Sequence, residues 1–104
     1  MNQEEKKLIL NLLEKLNQEL QTDNFDSLKT RRIFLNFSHV FEEQNIIMGD
    51  CIVQEQDRNY VKKSLINLYD VILTDNKTDL SDIEKEVTAL RKLIFNTDKT
   101  QTRF

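Results

Sequence analysis

Few side chains in this chain could do covalent or metal chemistry. His39 is the single histidine, with Glu42 and Glu43 one helical turn later, and Cys51 is the single cysteine. A two-ligand helical face falls short of a zinc site, which takes three or four ligands from Cys, His or carboxylate in tetrahedral array. A Cys51 nucleophile would need His39 as its base, and nothing in "GDCIV" marks an activated thiolate. The stretch "DNKTDLSDIEKE" (Asp75–Glu86) has the twelve-residue length of a calcium loop, but Lys77 stands at position 3 and Leu80 at position 6, where an oxygen ligand and glycine belong. One glycine, Gly49, cannot build a phosphate-cradling loop. The expectation is a protein without metal, cofactor or catalytic centre, one that binds rather than reacts.

The totals point the same way. A chain of 104 residues makes one domain with one modest core. It has no proline and a single glycine, which favours helices over turn-rich sheet folds. Net charge is −3, and the surplus acid lies in residues 1–52, with 9 acidic against 6 basic side chains; residues 53–104 carry 9 of each. That balance disfavours nucleic acid as a partner, although Arg31–Arg32 and Lys62–Lys63 are local basic pairs. A lone cysteine fits a reducing compartment. With no apolar run of membrane length and no export signal, the expected location is the cytoplasm.

Four amphipathic segments must supply the scaffold. The spacing of Ile9, Leu13, Leu16 and Leu20, widened by Leu12, predicts a helix over Gln3–Gln21, with Asn2 as cap and Glu5 three residues on. Asp23 or Asn24 can cap a second helix over Phe25–Gln44, whose stripe is Ile33, Phe34, Phe37, Val40 and Phe41 with Leu28 ahead of it. A third helix starts between Asp50 and Asp57, carries Tyr60, Val61, Leu65, Leu68, Tyr69 and Ile72, and ends by Thr74. "SDIE" reads as a capping box between Ser81 and Glu84, opening a fourth helix over Asp82–Phe95 with Ile83, Val87, Leu90 and Ile94 inward. Between the second and third helices, Ile46, Ile47 and Met48 are expected to tuck under the end of the assembly, with Gly49 as a stop or turn. The predicted fold is all-α, an antiparallel up-down four-helix bundle over residues 1–95, followed by a polar tail over residues 96–104.

That tail, "NTDKTQTRF", has no apolar side chain before its terminal Phe104. It cannot build core, so Phe104 either folds back on the bundle or is held out for a partner. Phe95, at the edge of the fourth stripe, and the cations Arg91 and Lys92 precede it.

The stretch "VKKSLINLYDVILTDNKTDLSDIEKEVTALRKLI" (Val61–Ile94), with its "LINLY", short polar turn and closing amphipathic helix, resembles the second half of the enterocin-A-type immunity proteins. Those proteins guard producers of pediocin-like (class IIa) bacteriocins. The leading helix, the break "TDNFD", the helix "SLKTRRIFLNFSHVFEEQ" and the polar tail ending in Phe104 are similar in outline. The resemblance implies a cytoplasmic four-helix bundle, monomeric or weakly dimeric and at most peripheral to the membrane. Such a protein recognises the bacteriocin-engaged mannose phosphotransferase permease and blocks the lethal pore. Specificity in that family is assigned to the second half and tail, which here gives Arg91, Lys92, Phe95, Asn96, Lys99, Arg103 and Phe104 as partner-binding residues. This chain departs from many relatives in its acidic balance and in a longer segment between helices two and three. The competing expectation is a small helical adaptor or regulator, a phage or toxin-system accessory, using the surplus phenylalanines of helix two and the "IIM" segment as an exposed interface.

Overall fold

The computed structural model describes residues 2–21, 26–74 and 77–99. It is mostly helical, with four helices and one small sheet: α1 (Gln3–Gln21), α2 (Ser27–Val40), β1 (Ile46–Cys51), α3 (Glu55–Thr74), α4 (Leu80–Ile94) and β2 (Phe95–Lys99). α1 packs against both α2 and α3, and α3 against α4. β1 and β2 close the remaining side as an antiparallel pair, β1 lying beside α2 while β2 continues directly from α4.

Helix ends explain most of the boundaries. At the start of α1, the Asn2 side-chain oxygen accepts from the Glu5 amide at 2.8 Å, and the Glu5 carboxylate accepts from the Asn2 amide at 3.1 Å. This reciprocal box satisfies two of the amides that a helix start leaves unpaired. α2 opens on Asp26, whose carboxylate accepts from the amides of Leu28 and Lys29; the expected caps Asp23 and Asn24, with Phe25, lie outside the described residues. α4 corrects the expected box. It begins at Leu80 with Asp79 as its cap residue, so Ser81 lies inside the first turn. The Ser81 hydroxyl donates to the Asp79 carboxylate at 3.1 Å instead of accepting from Glu84.

α2 ends at Val40, four residues before the expected Gln44, and its ending is informative. Phe41 is the cap, the Glu42 amide donates to the His39 carbonyl, and the Glu43 amide donates to the Ser38 carbonyl at 2.8 Å. These are the two crossing bonds of a Schellman stop, whose first residue past the cap must take a left-handed conformation. Glu42 takes it, with φ 59°, at a position where glycine is the usual occupant because a side chain is strained there. Asn45 has φ 58°, which asparagine tolerates better. Glu42→Gly is therefore expected to stabilise the protein by up to ~1 kcal/mol, readable as a raised urea midpoint with an unchanged slope.

The core gathers the four predicted stripes. Ile9, Leu13, Leu16, Leu20, Phe34, Phe37, Val61, Ile72, Ile83, Val87 and Ile94 are fully buried. Two expected members are outside it: Leu28, in the first turn of α2, is 63% exposed, and Tyr60 is 62% exposed although the adjacent Val61 is fully buried. The "IIM" segment is strand and not a tucked loop. Its alternation leaves Ile46 and Met48 half-buried and Ile47 outward at 57% exposure, the period-two pattern of a strand with one covered face.

Candidate functional site

The residues assigned to partner binding lie where α4 passes into β2, and the structure separates them into two groups. Arg91 and Phe95 are structural. Lys92 and Asn96 are exposed. Lys99 pairs across the sheet with Ile46, and Arg103 and Phe104 lie outside the described residues. The division drawn at residues 95 and 96 therefore falls inside β2, and the first part of the tail is docked as a strand.

Arg91 was expected among the partner-binding residues. It is 2% exposed, and its guanidinium makes a two-pronged ion pair with Glu43, Nη1 to Oε1 at 3.1 Å and Nη2 to Oε2 at 3.2 Å. The parallel fork is the strong geometry for an arginine and a carboxylate. The Schellman stop explains why Glu43 is available: by ending α2 at Val40 it turns the next residues towards α4. The Glu43 side chain is 8% exposed, so little water competes for the pair. Among the described residues, Arg91 Nε finds no hydrogen-bond partner.

Phe95 was expected at the rim, free to meet a partner. It is fully buried. Its ring meets Phe34 edge-on, with centroids 6.1 Å apart and planes at 89°, and the Arg31 guanidinium carbon lies 5.5 Å from its centroid. Phe34 in turn lies near Phe37, which stacks on Phe41. The aromatic stripe of α2 thus continues through Phe95 into the other end of the chain. Helix α4 ends here because Phe95 leaves the helical region, with φ −124° and ψ 152°, while its amide still donates to the Arg91 carbonyl. A buried phenylalanine side chain contributes roughly 2–3 kcal/mol from apolar area, with about 1 kcal/mol more from edge-on ring contact.

Arg31 holds the other strand. Its Nη2 donates to the Gly49 carbonyl at 2.6 Å, while its Nε is buried without a partner among the described residues. Gly49 sits in the sheet, not at a helix stop, and its role is close approach. A Cβ there would lie 2.9 Å from the main-chain oxygen of Asn96, an atom fixed by the backbone on both sides. Gly49→Ala is expected to cost about 1–3 kcal/mol by overpacking, measurable as a lowered unfolding midpoint; an unchanged midpoint would show that β2 does not press on β1.

The pairing of β1 and β2 is not uniform. Cys51 opposes Phe95, then the register shifts, and Met48, Ile47 and Ile46 oppose residues 97, 98 and 99. As an element β2 lies mainly against β1. Main-chain hydrogen bonds there contribute about 1 kcal/mol each, and fixing each residue's backbone costs a similar ~1–2 kcal/mol. The part beyond Asn96 is thus near balance, while the Phe95 end is firmly fastened.

His39 is exposed on α2, and Cys51 is half-buried in β1. Among the described residues no three of His, Cys, Asp and Glu come together as a metal site. A groove of about 290 Å³ between α1 and α3 is lined by Leu13, Leu65, Ile66 and Tyr69 with Glu14 and Asn17; a shallower one between α3 and α4 mixes Lys77, Asp82, Lys85 and Glu86 with apolar side chains. Both are open grooves and not enclosed cavities.

Sequence reasoning missed Glu43, Arg31 and Gly49 as members of this junction. Extending α2 to Gln44 placed Glu43 on a solvated helical face. A signal was present: "NIIMGDCIV" is a short apolar run bounded by polar residues, which suits a strand as well as a loop. Nothing in "FNTDK" signals a strand.

No protein-family model, curated protein or solved structure matches the chain. No helix among the described residues is long and apolar enough to cross a membrane.

Proposed function

We propose that this chain is a non-enzymatic binding protein of the bacteriocin-immunity kind. In this reading the four helices form an antiparallel up-down bundle in the cytoplasm, and the protein protects its producer by recognising the mannose permease engaged by a class IIa peptide. One observation supports a binding role above others: the start of the C-terminal segment is fastened by Phe95 and the Arg91–Glu43 pair, so whatever follows is presented from a fixed place. The contact surface is then Lys92, Asn96 and Lys99 with the terminal Arg103 and Phe104, while Arg91 and Phe95 position them. The narrower immunity reading rests on the "LINLY" and tail resemblance. Expression in a sensitive strain, challenged with a broad panel of class IIa peptides, tests it: protection against at least one is expected, and protection against none overturns it. Deleting residues 96–104 should then remove protection.

The adaptor reading keeps one specific support, now on a different surface. Phe34, Phe37 and Phe41 are buried within the single chain, which removes them as an interface, but Ile47 and Ile52 stand exposed at 57% and 50%. A stable dimer by solution mass that Ile47→Asp dissolves would favour it.

A further inference from the structure

We propose that residues 96–99 are a strap hinged at Phe95, whose release turns the freed edge of β1 into a strand-addition site for an extended segment of a partner protein. Three observations carry this. First, the hinge is well defined: Phe95 is fully buried under Arg31 and against Phe34, and the next residue, Asn96, is exposed. Second, the ladder is split by its register shift between Met48 and Cys51. The pairs at Ile46, Ile47 and Met48 can therefore part while Cys51 and Phe95 stay opposed. Third, among the described residues β1 pairs with β2 alone, so the edge that β2 covers is the one already shaped for a strand, while the Gly49 carbonyl is taken by Arg31 of α2. An unpaired strand edge templates the addition of another strand through its main-chain groups, so releasing β2 is what creates a site. The occupant is an extended polypeptide because its place is held by one in the closed form. Half-buried Ile46 and Met48 flank the outward Ile47, so successive residues of an added strand meet a covered and an open face in turn.

Because the strap is tethered, it competes with any partner at an effective concentration on the order of millimolar. A free peptide must therefore be supplied at several times that to be seen. The test uses the full chain with Ile47→Cys and Asp98→Cys, residues that face each other across the ladder, and Cys51→Ala to remove the competing thiol. If that pair fails to oxidise, Met48→Cys and Thr97→Cys, the adjacent pair of the alternate hydrogen-bonding class, is used instead. The reduced form serves as its own folding control. In the reduced chain, ladder amides at positions 46–48 and 97–99 should exchange within about 100-fold of unprotected rates, and amides around Leu13 and Leu65 at least 10-fold more slowly than those. Oxidation should slow the ladder amides alone by at least about 10-fold. The probe for the site is the peptide NTDKTQ, the strap's own sequence. It should shift the amide signals of Ile46, Ile47 and Met48 in the reduced chain and not in the oxidised chain. Ladder amides as protected as the helical core in the reduced form would overturn the hinge. No shift with the reduced chain, or equal shifts in both forms, would overturn the added-strand site. Neither readout uses bacteriocin protection, so failure here and failure of the immunity reading are separable.

Discussion

Phe95→Ala is expected to lower the stability of the protein by about 3–5 kcal/mol, the range for removing a large buried aromatic. The side chain is fully buried and touches the ring of Phe34 edge-on, so truncation leaves a cavity that a rigid aromatic neighbour cannot fill. A domain of this size has only about 5–15 kcal/mol in total, so the alanine variant can lose most of its folded population. Phe95→Leu, which keeps most of the volume, should fall well short of that loss and provides a graded companion. Urea unfolding followed by circular dichroism reads both. A partner-contact role for Phe95 predicts the opposite pattern, with an unchanged midpoint and loss of function alone. A loss below ~1 kcal/mol for the alanine variant would therefore return Phe95 to the surface.

Removing Arg91 is the second large effect. Arg91→Met leaves the Glu43 carboxylate buried without its counter-charge, a change that costs about 3–5 kcal/mol when a buried pair is broken from one side. Replacing both partners, Arg91→Met with Glu43→Leu, should recover most of the loss, because an apolar pair of similar size avoids the desolvation that the ions suffer. The coupling from the complete double-mutant cycle should be large and of the sign that marks a mutual contact. Salt discriminates further. The two side chains are 2% and 8% exposed, so 1 M salt should not reproduce the single-mutant loss, as it would for a solvated pair screened within a few ångström. A cost below ~1 kcal/mol for Arg91→Met would mean that the guanidinium reaches water.

Both predictions concern residues that the sequence presents as surface candidates, and the reason is instructive. Arg91 follows Leu90 on a helix whose stripe is Ile83, Val87, Leu90 and Ile94. Periodicity puts it at the margin of that stripe, where arginine usually reaches solvent. What buries it is a carboxylate 48 positions away in sequence, brought there by a helix stop at Glu42, a residue with no sequence signature for the left-handed conformation it adopts. Phe95 also sits at the stripe's margin, and its burial depends on where β1 and α2 lie. The Asn2 and Glu5 box, by contrast, is complete within four residues and was legible in full. The Ser81 and Glu84 box looked equally plausible and failed because Asp79 caps one turn's fraction earlier; an exposed acidic residue before a helix competes for the same role through its charge alone.

The sequence by itself determined that this is a mostly helical protein with four amphipathic helices, and most of the apolar side chains that they bury. Those properties are local: a 3.6-residue period and caps a few residues from the amides they satisfy. Tertiary structure alone decided that the "IIM" segment and the start of the polar tail pair as strands, that Gly49 is needed for a passing carbonyl, and that Arg91 and Phe95 point inward. A strand of five polar and aromatic residues has little intrinsic preference for its conformation. It forms because a distant segment offers its main chain, and because the aromatic at its root fills a space that α2 and β1 have already shaped.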